Sequence, residues 1–412
     1  MADITIDASA YTTQYAPAGR GGPFWITPLI GYVIYLDSGG NLVWSKTEDG
    51  GANWSAANEL VPGYVRAYDC CADWQTAGDA GTKIHIAVVE DATDTVSYIY
   101  LDTSDDSEGA LDPIEAAQGS GSISANAGRD YHQISITKTR GGNIAVAFRY
   151  KDNLLANFYG FYTSPDGDAW TSEASPWEAD IDYILLFPAN LADNQDLWAV
   201  FWDKSANELS LKTYDDSGDS WVAIGEQLIS GSMFDNADYL QMDGVIRLSD
   251  EHLILAAWNL YDNVSAALKV WDITDAGTIT AKTNVITDEG ETFLVSVFVN
   301  QDNDDIYVAY ASGTSAGDTV QVFYQKSDDG GGTWGGEQAM QADAEDDERW
   351  VSAGAVKAAW GGKFQPIWFE DDFNDLFTNT DNGISIAAAV GPPAAVTPWN
   401  LAARMAMMIC SH

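Results

Sequence analysis

The chain is short of basic residues, of cysteine and of long apolar runs, and each shortage excludes something. Lys and Arg number 19 against 62 Asp and Glu in 412 residues, a formal net charge of −43 with histidine neutral. Such a surface repels nucleic acid, whose binding rests on basic patches. It also repels anionic membranes and polyanionic sugars, and it keeps a protein soluble where salt screens its self-repulsion. The three cysteines are the adjacent Cys70 and Cys71 and the distant Cys410. Neighbours on a strand point to opposite faces, so no bridge between Cys70 and Cys71 is expected, and no disulfide framework or CxxC metal motif is present. His85, His132, His252 and His412 are scattered and form no zinc pattern. No apolar run reaches the roughly 18 residues of a membrane span. The start, Met1-Ala-Asp-Ile-Thr-Ile-Asp7, has neither the basic residues nor the apolar core of a signal peptide.

What the chain does have is repetition. Thr47-Glu-Asp-Gly-Gly-Ala-Asn-Trp54 returns as Ser327-Asp-Asp-Gly-Gly-Gly-Thr-Trp334, both Ser/Thr-x-Asp-x-Gly-x-x-Trp. Weaker copies are Tyr214-Asp-Asp-Ser-Gly-Asp-Ser-Trp221, the shorter Ser164-Pro-Asp-Gly-Asp-Ala-Trp170, and Asn379-Thr-Asp-Asn-Gly-Ile-Ser-Ile386. Degenerate versions surround Asp105 and Asp275, for seven candidates. The chemistry is that of a pinned turn. Asp49, Asp166, Asp216, Asp329 and Asp381 are placed to accept bonds from backbone amides ahead of them. Gly51, Gly218, Gly331 and Gly383 supply a positive-φ position. Trp54, Trp170, Trp221 and Trp334 bring an apolar ring to bury between sheets. The role of these residues is structural.

Upstream of each copy the pattern is a strand, a turn and a second strand. Segments 31–37, 83–90, 143–150, 197–203, 253–259, 306–311 and 364–370 are rich in Val, Ile, Tyr, Phe and Trp, and several alternate apolar with polar. They recur about every 50–60 residues, a period in the range of propeller blades. Four strands per unit, with the octet between the third and fourth, predict an all-β, seven-bladed propeller over residues 20–388. The alternative is a six-bladed ring, because the first unit has a short inner strand. Residues 1–19 are expected as an N-terminal arm along a blade edge. Residues 389–412 form an Ala/Pro-rich tail whose apolar end suits docking on a partner.

These octets resemble the Asp-box (BNR) repeats of sialidase-like β-propellers, over roughly residues 20–388. The resemblance implies that the boxes sit on the rim away from the ligand face. It implies a glycan-type scaffold and, for the enzymes of the family, three arginines that clamp a carboxylate, a Tyr nucleophile and an Asp acid/base. Arg66, Arg129 and Arg349 are candidates for the clamp, with Tyr68 or Tyr131 as nucleophile and Asp69 or Asp130 beside it. The chain departs from the family at Phe24-Trp25-Ile26-Thr27-Pro28, where Trp25 stands in the position of the first arginine.

In a four-stranded blade the connections between blades open on the face opposite the octets. There the sequence concentrates Arg20, Arg66, Arg129, Arg149 and Arg349, five of its eight arginines. Tyr68, Tyr131, Tyr183, Tyr239 and Trp350 fall at the same junctions and suit sugars or protein loops. The preferred reading is therefore a non-enzymatic binding or structural propeller, recognising a glycan or protein receptor. With no signal peptide, its expected setting is a virion, phage-like, or the outside of a cell; the tail would contact other virion proteins. A sialidase-like exo-glycosidase and an intracellular, cytoplasmic scaffold are the alternatives. No cofactor or metal is expected. Carboxylates at 302–305 and 345–348 offer ligands of the kind Ca²⁺ takes but match no complete calcium loop.

Overall fold

The recurring apolar segments form, in the computed structural model of the chain, the second strands of seven antiparallel sheets. The structure describes residues 3–11, 20–90, 95–116, 133–151, 157–175, 181–189, 197–203, 206–222, 227–231, 242–259, 266–289, 291–313, 321–340, 348–352, 354–356, 364–370 and 375–378. The sheets follow one another in chain order, each running from an inner to an outer strand, and they are the blades of a seven-bladed β-propeller. The first blade rules out a six-bladed ring. Its inner strand is only Phe24–Trp25, yet it pairs with Gly31–Leu36, which pairs with Leu42–Thr47 and through it with Asn58–Val61.

Alternation explains why these strands are apolar on both faces. In blade one Tyr32, Ile34 and Leu36 pack against blade two, while Val33 and Tyr35 pack against blade seven. Every blade repeats the arrangement, so seven hydrophobic clusters fill the seven gaps between blades. Cys70 and Cys71 divide in the same way, one into each neighbouring gap, and both are free thiols. Burying one such apolar side chain contributes about 1.5–3 kcal/mol, and that burial is what holds blade to blade.

The ring is closed by main-chain pairing between the two ends of the chain. Ile4–Asp7 is the outer strand of blade seven, paired with Asp375–Thr378. At the inner edge Ala355–Val356 pairs in parallel with Phe24–Trp25, and Ser352 Oγ donates to the Gly22 carbonyl at 2.5 Å.

The turns between third and fourth strands show how the octets work. Thr47 Oγ1 accepts from the Gly51 amide at 2.9 Å and donates to Asp49, whose Oδ1 accepts from the Asn53 amide at 2.9 Å. Ser327, Gly331, Asp329 and Thr333 repeat this geometry. Ser164, Gly167 and Asp166 do so in the shorter copy. Gly51, Gly167 and Gly331 have φ of +88°, +89° and +88°. Each tryptophan packs toward the preceding blade. Trp170 stands edge-on to Tyr98 of blade two, and the indole N–H groups of Trp221 and Trp334 donate to Ala174 and Thr283 one blade back. Trp54 meets Trp25 edge-on and packs in the gap between blades seven and one.

Blade four departs from the expected assignment. Tyr214 has no short hydroxyl to offer, and Asp215 rather than Asp216 caps the turn, accepting from the Ser217 and Gly218 amides. Asp216 instead reaches blade three, where it accepts from Thr139 Oγ1 and Asn143 Nδ2. The positive φ, +46°, belongs to Asp219 and not to Gly218. The copy holding Asp381 and Gly383 lies outside the described residues, as does the tail 389–412.

Two tests follow from these turns. A Cβ on Gly167 would lie 2.4 Å from the Tyr98 ring, whereas one on Gly142, also at positive φ, would meet nothing within 4 Å. Gly167→Ala should cost about 2–4 kcal/mol and Gly142→Ala about 1, read from denaturant midpoints. Amide and hydroxyl donors from Thr333 and Ser327 hold the Asp329 carboxyl down at about 2. A depressed carboxylate stabilises the fold fully above the unfolded range and loses that contribution as pH falls. Asp329→Asn should therefore show a shallower loss of stability between about pH 4 and pH 2 than the parent, measured by urea titration at each pH.

Candidate functional site

Because the blades are simple meanders, the starts of the inner strands and the pinned turns lie at opposite faces of the ring. Among the described residues, four of the inner strands carry a β-bulge near their start. In Val65–Ala72 the register slips between Val65 and Ala67, at Arg66. In Ile181–Pro188 it slips at Tyr183, and in Glu291–Val299 at Leu294. In Glu348–Ser352 it slips across Arg349 and Trp350. A bulge re-aims a side chain out of the pleat and is common beside binding sites. Tyr183 also has φ +58°, a left-handed conformation uncommon for a residue with a side chain.

Two arginine–tyrosine pairs lie at this face, and both arginines, Arg66 and Arg149, are themselves buried, at 8% exposure. The Arg66 guanidinium lies over the half-buried Tyr64 ring at 4.3 Å, and Tyr11 meets Tyr64 edge-on. Arg149 lies two residues before the end of the second strand of blade three, Ile144–Lys151, toward the same face and directly across from Tyr159, 5.9 Å from its ring. Across the ladder from Arg149 is Gln133, whose Oε1 accepts from the Tyr183 amide at 2.6 Å and so ties blade three to blade four. Tyr64 and Tyr159 were not singled out in the sequence; the signal was Arg within two residues of Tyr in one case and only the cross-strand register in the other.

Several sequence candidates are interior. Tyr68 is 1% exposed, and its hydroxyl donates to the Ile34 carbonyl of blade one. It neither lines the mouth nor stands free as a nucleophile, because its place in the alternation points it into the gap between blades. Tyr183 is buried against Trp202, at 6.3 Å. Asp69 is fully buried and accepts from Ser135 Oγ and the Ile136 amide of blade three, at 3.0 and 2.9 Å. Arg129, Asp130, Tyr131 and Tyr239 lie outside the described residues, and of Arg349 and Trp350 the backbone alone is described.

Arg20 is not a mouth residue but a central pin. Its guanidinium pairs with Asp69 of blade two, donates to Ser135 Oγ and the Ile136 carbonyl of blade three, and reaches the Leu186 carbonyl of blade four at 3.3 Å. Burial works against its charge, but Asp69 and then Asp243 of blade five outweigh burial and hold it firmly protonated. A second buried chain joins blades two and three. His85 contacts Asp73 at 2.9 Å and Tyr98 at 2.6 Å, and Lys138 pairs with Asp73 and Asp79. His85 and Tyr98 are 3% and 1% exposed, so this Asp–His–Tyr chain is sealed from substrate.

Among the described residues no group of three or more His, Cys, Asp or Glu is disposed to hold a metal ion. Of the carboxylates at 302–305, Asp305 accepts from Asn303 Nδ2 and pairs with Lys326, and Asp304 accepts from Ser249 Oγ of blade five. Among the described residues no helix is long and apolar enough to cross a membrane.

No family model and no curated protein sequence matches the chain. Solved structures do. A PL25 ulvan lyase, described as a new family of polysaccharide lyase, aligns over 92% of this chain and 94% of its own, at 11% identity and a TM-score of 0.53. The SapL1 lectin in complex with alpha methyl fucoside aligns over 81% of this chain and 99% of its own, at 14% identity and a TM-score of 0.50. A Trypanosoma rangeli sialidase is a looser match, at 14% identity and a TM-score of 0.46. The first two likenesses support the fold class, a β-propeller.

Arg20→Ala removes the partner of a buried carboxylate and should cost about 3–5 kcal/mol, more than Arg140→Ala, whose ion pair with Glu251 lies nearer the surface. Thermal unfolding of the two variants side by side checks the order.

Proposed function

We propose that this protein is a carbohydrate-binding propeller whose ligand lies across the mouth opposite the pinned turns. One observation carries the reading: the bulges at Arg66, at Tyr183, at Leu294 and across Arg349 and Trp350 all lie where inner strands begin, on that face. Half-buried Tyr64 and Tyr159, each with a guanidinium near its ring, supply flat amphipathic surface beside them. Sugars present C–H faces and hydroxyl edges, which rings and guanidinium forks match. That the ulvan lyase and the fucose-bound lectin share the propeller fold supports a glycan in preference to a protein receptor.

Charge narrows the ligand class. A net charge of −43 opposes sulfated or uronate polymers, so the favoured ligand is a neutral oligosaccharide. Binding is favoured over turnover, since Tyr68 and Asp69, two of the residues named for glycoside cleavage, are used up in bonds between blades. The turns at 47–54, 164–170 and 327–334 are assigned to the Asp-box (BNR) type on their shared hydroxyl–Asp–Gly–Trp geometry, and we include a particle-borne or extracellular setting in the proposal.

Calorimetry with methyl α-fucoside and a panel of neutral oligosaccharides, set beside a sulfated uronate polysaccharide, tests this. The expected result is neutral-sugar binding that changes little with salt and weakens about tenfold or more in Arg66→Ala and Tyr159→Ala. Cleavage of a sialoside, or release of unsaturated uronate ends absorbing in the ultraviolet, would replace the binder with an enzyme.

A further inference from the structure

The seam between blades two and three holds a buried histidine. His85 projects from the second strand of blade two, Lys83–Glu90, toward blade three. Its Nε2 lies 2.9 Å from Asp73 Oδ1, and its Nδ1 lies 2.6 Å from the Tyr98 hydroxyl. The partners fix the tautomer. Asp73 also accepts from the Lys83 amide at 2.9 Å and from Lys138 Nζ, so it is a carboxylate and can only accept from His85. Burial works against that charge, but the bonds from His85 and Lys138 outweigh it and hold the carboxyl well down. Nε2 therefore carries the hydrogen, and Nδ1 accepts from Tyr98. Among the described residues the Tyr98 hydroxyl has no other hydrogen-bond partner. Tyr98 is also the seat of blade three's pinned turn. Trp170 meets its ring edge-on at 5.4 Å, and Gly167 presses on the same ring.

We propose that His85 is an acid-sensitive switch: one proton at Nδ1 turns it from acceptor into a second donor, reverses its bond to Tyr98 and loosens the turn of blade three that rests on that ring. A protonated imidazole donates through both nitrogens, so the Tyr98 hydrogen loses its acceptor, and a buried hydroxyl hydrogen left unpaired is costly. The charges facing the ring oppose the proton as well. Asp73 and Asp79 come from the connection after the inner strand of blade two, and Lys138 of blade three pairs with both. Lys83, two residues before His85 on the same face, lies over the Tyr100 ring at 3.7 Å. Two carboxylates against two ammonium groups leave the seam neutral while His85 is neutral, and carrying a buried excess charge once it is not. Cys71, across the ladder from His85, stays a neutral thiol because burial pushes it up. Asp112, across from Tyr98 on the outer side, faces Asp168 of blade three, and neither bonds the hydroxyl. Burial, then Lys138 and Lys83, push His85 down against the pull of Asp73. The unfolded chain takes up this proton near the ordinary histidine value of about 6.5, the folded chain only below it. The stability that the seam contributes is therefore full above that value and is lost as pH falls from there toward the folded value. The seam lies inside the ring, so the switch does not depend on what binds at the mouth.

Nitrogen NMR of the full chain labelled at its histidines, together with amide exchange read between about pH 7 and pH 5, tests the switch in a range where most carboxylates stay ionised. At neutral pH His85 should show the Nε2–H tautomer. Below about pH 6.5, the opening that exposes the turn at 164–170 should grow by up to about tenfold per pH unit after correction for intrinsic exchange rates, while the turn at 327–334 stays unchanged. The amide of His85→Gln can accept from Tyr98 and donate to Asp73 but takes up no proton, so this variant should protect 164–170 equally across the range. An Nδ1–H tautomer at neutral pH, exchange at 164–170 that ignores pH, or a pH response retained in His85→Gln would each overturn the proposal. If His85→Gln does not fold, the tautomer and the exchange pattern of the parent protein decide.

Discussion

A ring of twisted sheets holds only if its last blade meets its first in register, and every other feature of this protein depends on that closure. A linear stack of the same blades would expose an apolar face at each end. Here the exposed faces are abolished three times over. The outer strand of blade seven is the N-terminal segment Ile4–Asp7, the inner strands of blades seven and one pair through Ala355–Val356, and Arg20 crosses to the inner strands of blades two, three and four. The apolar clusters supply most of the cohesion, and the polar bonds fix which blade meets which.

Closure also divides the labour between faces. The turns that pin blade to blade lie on one side, where Asp49, Asp166 and Asp329 spend their oxygens on backbone amides. Glycines there press against the neighbouring blade, Gly51 on Gln365 and Gly331 on Lys282. The opposite side is built differently. Four of its inner strands begin with bulges, and Arg66 and Arg149 lie near the Tyr64 and Tyr159 rings. A face free of stapling turns can vary without loosening the ring, which is why recognition is assigned to it.

The architecture was legible because its signal is local and repeated. Alternation in segments such as Lys83–Glu90 fixes two buried faces, and Thr47 through Trp54 spells out its turn chemistry atom by atom. The site was less legible because it depends on contacts between blades. Tyr68 and Asp69 stand at a junction in the sequence, but the parity of the strand turns Tyr68 toward blade one and Asp69 toward blade three. Arg20 reads as one more junction arginine until three blades converge on it. The Asp69–Ser135 and Asp243–Ser296 latches span about a blade of sequence each, with no motif at either end, so only the fold reveals them. In blade four, one substitution, Tyr214 for a hydroxyl residue, shifted the capping role by one position.

Which face meets the ligand decides how the two sides of the ring divide their roles. Hydrogen exchange in the presence of a saturating neutral oligosaccharide measures this directly. Slowed exchange at 65–68, 181–184 and 348–352, with the turns at 47–54 and 327–334 unchanged, is the predicted result. Protection confined to those turns, with the inner-strand starts exchanging as in the free protein, would contradict it.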